Sequence, residues 1–363
     1  MKKKILYVGN CKNVHFRRWF AYFRSKADLQ VLTSRNCSHK ECRRIGDFIP
    51  YRLRKLSLLP KIGFVLRAYF LRRFLQKNKF DLVHIHSLFV FEVKVGLSNQ
   101  LFPFPCPTII SVWGSDILSL QSWAARFVKK VVLQKADLVT ATSKLLASET
   151  KKVSPGIKKI EIVPFGVDLK IFDPRKFKKP KDGVLRIGFF KHLKPIYGPD
   201  YLMKSFKVVL QNFPKAELFL AGEDRGIQED LEKLATKLGV SGHVHFLGFV
   251  ENVPKLMSQM DITVMPSLQE SFGVAALESQ ALEVPVIASR VGGTGEVLLD
   301  NKTGFLVPPG DTTSLSNATI KLLSRKKLRE DMGKLGREFV VKNYDWEKNS
   351  RKMEDLYQEM FIS

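Results

Sequence analysis

The feature that most limits the fold is a repeated change of period: short β-branched and aliphatic runs alternate with longer amphipathic ones along the whole chain. A run of four to six apolar residues has the length of a buried strand, and a longer run with a 3.6-residue period that of a helix covering it. Their alternation predicts parallel sheets flanked by helices, an α/β fold. In the first half, strands are expected near Lys4–Val8, Gln30–Thr33, Leu82–His86, Thr108–Val112, Leu138–Thr142 and Ile160–Val163. In the second half they are expected near Leu185–Phe190, Glu217–Ala221, Val244–Leu247, Ile262–Met265, Val286–Ala288 and Gly304–Val307. Candidate helices include Phe16–Ser25, Gly63–Lys77, Tyr201–Gln211, Ile227–Leu238 and Thr312–Leu323, with a last one over Trp346–Met360.

A chain of 363 residues is too long for one core. The charged, proline-bearing stretch Asp173–Asp182 is the expected boundary. It separates a Rossmann-like domain over residues 1–172 from a second over 183–344, with 173–182 as linker and 345–363 as a helix crossing back. Ligands of open α/β sheets bind beyond the carboxyl ends of the strands, so the loops there carry the functional argument.

The composition, 45% apolar and 26% charged, is that of a folded chain rather than a disordered one. No apolar run reaches the ~18 residues of a membrane span. The run Ile5–Val8 after Met1 and three lysines is too short for a signal-peptide core, so the chain is expected in the cytoplasm. Four cysteines are scattered; Cys37 and Cys42, with His39 between them, lack a second half-site for zinc, and free thiols are expected. No Asp-x-Asp pair is present, Asp28, Asp47 and Asp81 being isolated, and no metal site is expected.

Charge is uneven. Residues 1–170 hold 32 Lys/Arg against 10 Asp/Glu, a net +22, and the remainder nets +3. Such a half attracts an anionic partner: nucleic acid, a phospholipid surface or a phosphorylated substrate. The stretch from Arg52 through Arg54, Lys55 and Arg67 to Lys79 reads as a basic amphipathic segment fit for an anionic membrane, or as a helix with a solvated face. No nucleic-acid module accompanies the charge, and nucleic acid is the weaker reading.

The strand expected over Ile262–Met265 runs into the loop Pro266–Gly273 and then a helix from Val274. Glu270 therefore precedes a helix N-terminus and Glu278 lies inside the helix. Unpaired amides of a first helical turn form an anion site, and Gly273 lets a diphosphate approach that backbone. Singly, Glu270 reads as a carboxylate complementing the helix dipole and Glu278 as an exposed helix residue.

Together, as ESFGVAALE, the segment resembles the Glu-x7-Glu signature of retaining glycosyltransferases of the GT-B fold, particularly glycosyltransferase family four. The likeness extends over nearly the whole chain: Val163–Phe172 resembles the family's segment closing the first domain, Pro285–Ser289 with Gly292, Gly293 and Glu296 its later strand and loop, and Asn301–Val307 a family-like hairpin. It implies two Rossmann-like doubly wound domains facing across a cleft. It also implies a metal-independent transfer of a sugar, with retention, from a UDP- or GDP-sugar to an acceptor hydroxyl, without a further cofactor. Sugar or lipid-linked acceptors of cell-surface polysaccharide or glycolipid synthesis would be the partners, and the inner face of the plasma membrane the place. A nucleotide-sugar epimerase of the same fold is the alternative.

The resemblance puts Glu270 at the donor sugar, Glu278 at the ribose hydroxyls, and the backbone amides of Phe272, Gly273 and Val274 at the phosphates, with Gly188 opening the neighbouring donor loop. Family members place Arg and Lys in that loop. Here, if Gly198 closes it, His192 and Tyr197 stand in their places, and Lys191 and Lys194 are the substitutes. Many members carry a catalytic His where this chain has Trp113, so the question passes to His86 of Asp81–His86 or to Asp116, which also reads as a helix N-cap. Gly9 fits either ligand approach or a tight turn. His15 and Trp19, four apart on one helix face with a similar spacing in some members, are acceptor-side candidates or ordinary packing.

Overall fold

The computed structural model describes residues 2–34, 42–44, 60–119 and 122–362. Cys37, His39, Asp47, Arg52, Arg54 and Lys55 lie outside the described residues. The chain divides into two units, Met1–Pro164 with Ser350–Ser363, and Phe165–Asn349.

Among the described residues the first unit has a seven-stranded parallel sheet: β1 (Lys4–Val8), β2 (Asp28–Leu32), β3 (Cys42–Arg43), β4 (Leu82–His86), β5 (Thr108–Val112), β6 (Leu138–Ala141) and β7 (Ile160–Ile162). Its order is β3-β2-β1-β4-β5-β6-β7. The second unit has six parallel strands: β8 (Leu185–Phe190), β9 (Ala216–Ala221), β10 (Val244–Gly248), β11 (Ile262–Met265), β12 (Val286–Ser289) and β13 (Gly304–Val307), in the order β10-β9-β8-β11-β12-β13. In each sheet the chain first moves one way and then the other, reversing between β1 and β4 and between β8 and β11. Those are the switch points of a doubly wound fold, where loops part and leave a crevice.

Register sorts the first sheet into two unlike faces. Leu6, Val8, Val83, Ile85, Ile110, Val112, Val139 and Ala141 lie on one face and share a core with Leu71, Leu75, Val95, Val132 and Leu133 of the covering helices. Each such buried aliphatic contributes ~1.5–3 kcal/mol. The residues between them, Tyr7, His84, His86, Ser111 and Thr140, form a polar and aromatic second face. It is covered by helix Val14–Phe23 and by the end of helix Trp346–Ile362.

In the second unit, Ile187, Phe189, Leu218, Leu220, Ile262, Val264 and Ile287 pack against Leu202, Met203 and Phe206 of helix Pro199–Asn212 and Leu315 and Leu322 of helix Thr312–Ser324. The first of these helices starts at a proline, whose missing N–H costs nothing there. The second is capped by Asp311, which accepts from Ser314 N at 3.0 Å.

Several expectations change. The chain divides at Pro164, ahead of the charged stretch, because the segment after it is tied into the second unit. Val167 N donates to Tyr344 O at 2.8 Å and Trp346 N to Val167 O at 3.0 Å, while Asp173 is buried in ion pairs with Arg175 and Arg337. Asn301–Val307 is not a hairpin: Asn301 turns the chain with φ 60°, and β13 then runs parallel to β12. Cys106 is a free thiol, but Cys42, on the unanticipated edge strand β3, is disulfide-bonded. Among the described residues no helix is long and apolar enough to cross a membrane.

Candidate functional site

Two loops of the second unit leave the sheet side by side at its switch point. β8 and β11 are paired neighbours, so the residues following Phe190 and Met265 emerge together. The Lys191 ammonium is ion-paired to the Glu270 carboxylate, and it lies 5.0 Å from the centre of the Tyr197 ring. Both charged side chains are largely shielded, 17% exposed for Lys191 and 8% for Glu270, so the pair sits in a medium where its attraction is stronger than in water. A second oxygen of Glu270 accepts from Ser271 N at 3.2 Å. Lys194 is exposed at the entrance to the turn Pro195–Tyr197. His192 is half exposed, its imidazole held below the usual value first by burial and then by Arg225.

The backbone around this pair is interlocked at glycines. A Cβ on Gly292, which has φ +54°, would lie 1.5 Å from Glu270 O, and one on Gly293 2.6 Å from Ser271 O. A Cβ on Gly198, φ +66°, would lie 2.2 Å from Pro266 O, and one on Gly222 2.0 Å from Lys191 O. Only glycine permits these approaches. Gly273, with φ +98°, then turns the chain into helix Val274–Ala281, whose first turn has no side-chain cap. Phe272 is buried edge-on against Phe165 and Tyr344, which fixes the loop from behind. Glu278 is half-buried inside the helix, whose C-terminal Ala281 carbonyl is held by Arg337. The Ser267 hydroxyl, in the same loop, is buried without a hydrogen-bond partner among the described residues.

Gly188 is not part of this loop. It lies inside β8, where a Cβ would meet Phe190 and Met260, so its smallness serves packing.

At the carboxyl ends of the first sheet, Tyr7 Oη bonds to Tyr357 Oη (2.8 Å), Tyr357 Oη to His84 Nδ1 (2.5 Å), His84 Nε2 to Ser111 Oγ (2.7 Å), and Ser111 Oγ to Thr140 Oγ1 (2.6 Å). Burial pushes the His84 imidazole down to about 3, so it is neutral and joins the chain with one donor and one acceptor nitrogen. His86 stacks on it at 3.8 Å and is likewise held well below the ordinary value, first by burial and then by His84. Both His86 nitrogens, and the Thr142 hydroxyl beyond β6, are buried without partners among the described residues. Trp113 lies 5.6 Å from His86 and 6.1 Å from His15, ring centre to ring centre, so these three candidates are brought together.

Three other candidates have structural duties. Asp116 is buried and its carboxylate accepts from Trp113 N (3.0 Å), Gly114 N (2.7 Å) and Leu88 N (3.0 Å), which ties two loops together. It is not the N-cap, a place taken by Gly114. Burial raises its pKa, against the lowering by those amides. Trp19 is 2% exposed and stacks on Phe23, as core packing. At Gly9 a Cβ would press on the Phe16 ring at 2.8 Å, so the glycine admits Phe16.

The sequence reading missed the glycine contacts at Glu270, the orphaned Ser267 and Thr142 hydroxyls, and the Tyr357–His84 bond. Gly292-Gly293 was a visible signal for the first; nothing in the sequence signals a bond across that separation. Among the described residues no group of three or more His, Cys, Asp or Glu is placed to hold a metal ion.

Residues 171–339 match the family model described as glycosyl transferases group 1, and residues 4–143 that described as glycosyl transferase 4-like. The chain is 28% identical to the N-acetyl-alpha-D-glucosaminyl L-malate synthase of Bacillus anthracis, covering 78% of this chain and 76% of that protein. It is 26% identical to the UDP-Gal:alpha-D-GlcNAc-diphosphoundecaprenol alpha-1,3-galactosyltransferase of Escherichia coli, covering 87% and 84%. Among solved structures, sucrose-phosphate synthase from Thermosynechococcus elongatus superposes with a TM-score of 0.80 at 22% identity, over 99% of this chain and 100% of that one. Anabaena HepE in complex with UDP and glucose also gives 0.80, at 18% identity, over 98% and 100%. At these identities the structures speak for the fold alone.

Proposed function

We propose, from the premise that this chain is a GT-B glycosyltransferase of the family-four kind, that it transfers a sugar with retention from a UDP- or GDP-sugar to an acceptor hydroxyl, using neither metal nor further cofactor. The observation that carries this reading is the Lys191–Glu270 pair at the switch point, beside a glycine-turned helix N-terminus. Glu270 would bind the donor sugar's hydroxyls and Glu278 those of the ribose. The amides from Phe272 to Val274 would meet the diphosphate.

In the transfer, the acceptor oxygen bonds to the anomeric carbon while the bond from that carbon to the phosphate oxygen breaks. The acceptor's proton passes to the departing phosphate. Negative charge grows on the diphosphate, and preorganised donors and cations there lower the barrier. Lys191, already held in place by Glu270, is the first such cation, and Lys194 at the loop entrance the second. Lys191 thus stands where the altered Arg/Lys loop needs a charge. The exposed Lys194 is free of packing constraints and able to turn toward the phosphate.

The relatives named above include one acting on a diphosphoundecaprenol-linked sugar, and that name supports a sugar or lipid-linked acceptor from polysaccharide or glycolipid synthesis. We place the acceptor in the first unit, with His15, Trp113 and His86 near it, and the strongly basic half at the anionic inner face of the plasma membrane. An epimerase would need no acceptor, and neither family model nor the relatives named above favour one.

The test is product analysis with Glu270→Ala and Glu278→Ala. The wild type should release free nucleotide together with a new glycoside, and both variants should lose turnover while remaining folded. Wild-type turnover in both, or an altered nucleotide-sugar as sole product, would overturn the assignment.

A further inference from the structure

We propose that the outer side of three adjacent helices of the first unit, Pro60–Asn78, Val90–Leu101 and Trp123–Lys135, is a docking face for an anionic lipid bilayer. This rests on the reading that the basic half works at a membrane, and it names a surface which that reading leaves open. The three helices pack side by side: a Cβ on Gly96 would lie 2.4 Å from Val132, Gln100 Nε2 donates to Val131 O at 2.7 Å, and Tyr69 meets the Phe102 ring at 5.7 Å. Their inner sides are spent on the apolar face of the sheet.

Their outer side is unusual in two respects at once. Trp123 is 81% exposed and Phe127, one turn further on the same stripe, 59%; Val90 is 73% exposed, and Ile62, Val65 and Tyr69 are also exposed. Large apolar side chains scattered singly need no explanation, but here they share one helical layer. Six cations of the same three helices are exposed, Lys61, Arg73, Lys77, Lys94, Arg126 and Lys130, and their single acid, Glu92, is buried. The outer layer is therefore cationic and apolar together.

An anionic bilayer satisfies both properties. Each cation near its surface contributes ~1 kcal/mol, and Trp and Phe settle at the headgroup level with their rings toward the acyl chains. A nucleic acid would use the cations, but its phosphates and sugars offer nothing to Ile62, Val65 and Val90. Since no described helix spans a membrane, the contact is peripheral.

The experiment is co-sedimentation of the full chain with phosphatidylcholine vesicles, with phosphatidylglycerol vesicles, and in competition with duplex DNA. The Trp123→Ser/Phe127→Ser double variant runs beside the wild type, with UDP affinity as the check on folding. Wild type should bind phosphatidylglycerol vesicles at least about tenfold more tightly than neutral ones, and the double variant should lose about tenfold with UDP affinity kept. Tryptophan emission should shift to the blue on binding, and the shift should vanish in Trp123→Phe, which also serves should the double variant misfold. Binding undiminished in the double variant, with the blue shift retained in Trp123→Phe, would overturn this face while leaving membrane association standing. Failure of the wild type to prefer anionic vesicles would overturn both, and displacement by DNA at equal charge would assign the face to nucleic acid. None of these outcomes bears on the donor site, which UDP affinity reports separately.

Discussion

Lys191 and Glu270 are 79 residues apart in sequence, yet they form an ion pair because β8 and β11, which precede them, are neighbours at the reversal of the second sheet. Each charge is the other's main compensation for being drawn out of water. In the proposed reaction an arriving diphosphate would give Lys191 a second anion and leave Glu270 open to the sugar hydroxyls.

Lys191→Met should therefore lower turnover more than it lowers folding. At saturating donor we expect kcat to fall by about 10²–10³, the scale for losing one preorganised stabiliser of leaving-group charge. Unchanged kcat, with circular dichroism matching wild type, would place the catalytic cation elsewhere.

Gly292→Ala should be far more damaging than its size suggests. The new methyl would collide with Glu270 O and force a left-handed backbone on alanine, which by itself costs ~1–3 kcal/mol. Gly295→Ala, three residues on, meets nothing within 4 Å and should be tolerated. Urea unfolding and UDP affinity of the two variants give the comparison; equal behaviour would contradict the interlocked loop.

Acid should destabilise the first unit through its buried histidines. His84 titrates near 3 when folded and near the ordinary ~6.5 when unfolded, so between these values the unfolded state binds the extra proton. Its stabilising contribution is complete above ~6.5 and is lost as pH falls toward 3, amounting to about 2 kcal/mol by pH 5. His86, depressed in the same direction, steepens the loss. Thermal melts from pH 7.5 to 5 should show Tm falling, and less steeply in His84→Asn; a flat profile in the wild type would contradict neutral burial.

Tyr357→Phe removes one oxygen and strands two buried partners, His84 Nδ1 and Tyr7 Oη. An unsatisfied buried polar group costs ~1–3 kcal/mol, so the urea midpoint should drop clearly although no apolar contact is lost. A midpoint equal to wild type would mean that these groups find other partners.

Much of the fold was legible because strand and helix periods are local properties. β1, β4, β5, β8, β11 and β13 fall where the aliphatic runs predict, and Glu270 and Glu278 were visible because their loop and helix are contiguous in sequence. What was not legible depends on neighbours distant along the chain. Asp116 read as an N-cap because a sequence shows the following residues but not Leu88 N. Trp19 and Gly188 read as site residues because spacing does not show that Phe23 and Phe190 occupy the space beside them. The division of the compact units at Pro164 was hidden for the same reason, since Val167 is tied to Tyr344 and Trp346, far along the chain.

The glycine contacts around the donor loops carry a consequence for variation. Because backbone meets backbone at Gly198, Gly222, Gly292 and Gly293, the path of both loops is set with little help from the exposed side chains of His192 and Lys194. Those positions can drift, exchanging one cation for another, while the strand exits stay in register. A combinatorial library confined to residues 192 and 194, with the four glycines kept, should thus yield mostly folded proteins that differ in which nucleotide-sugar they accept.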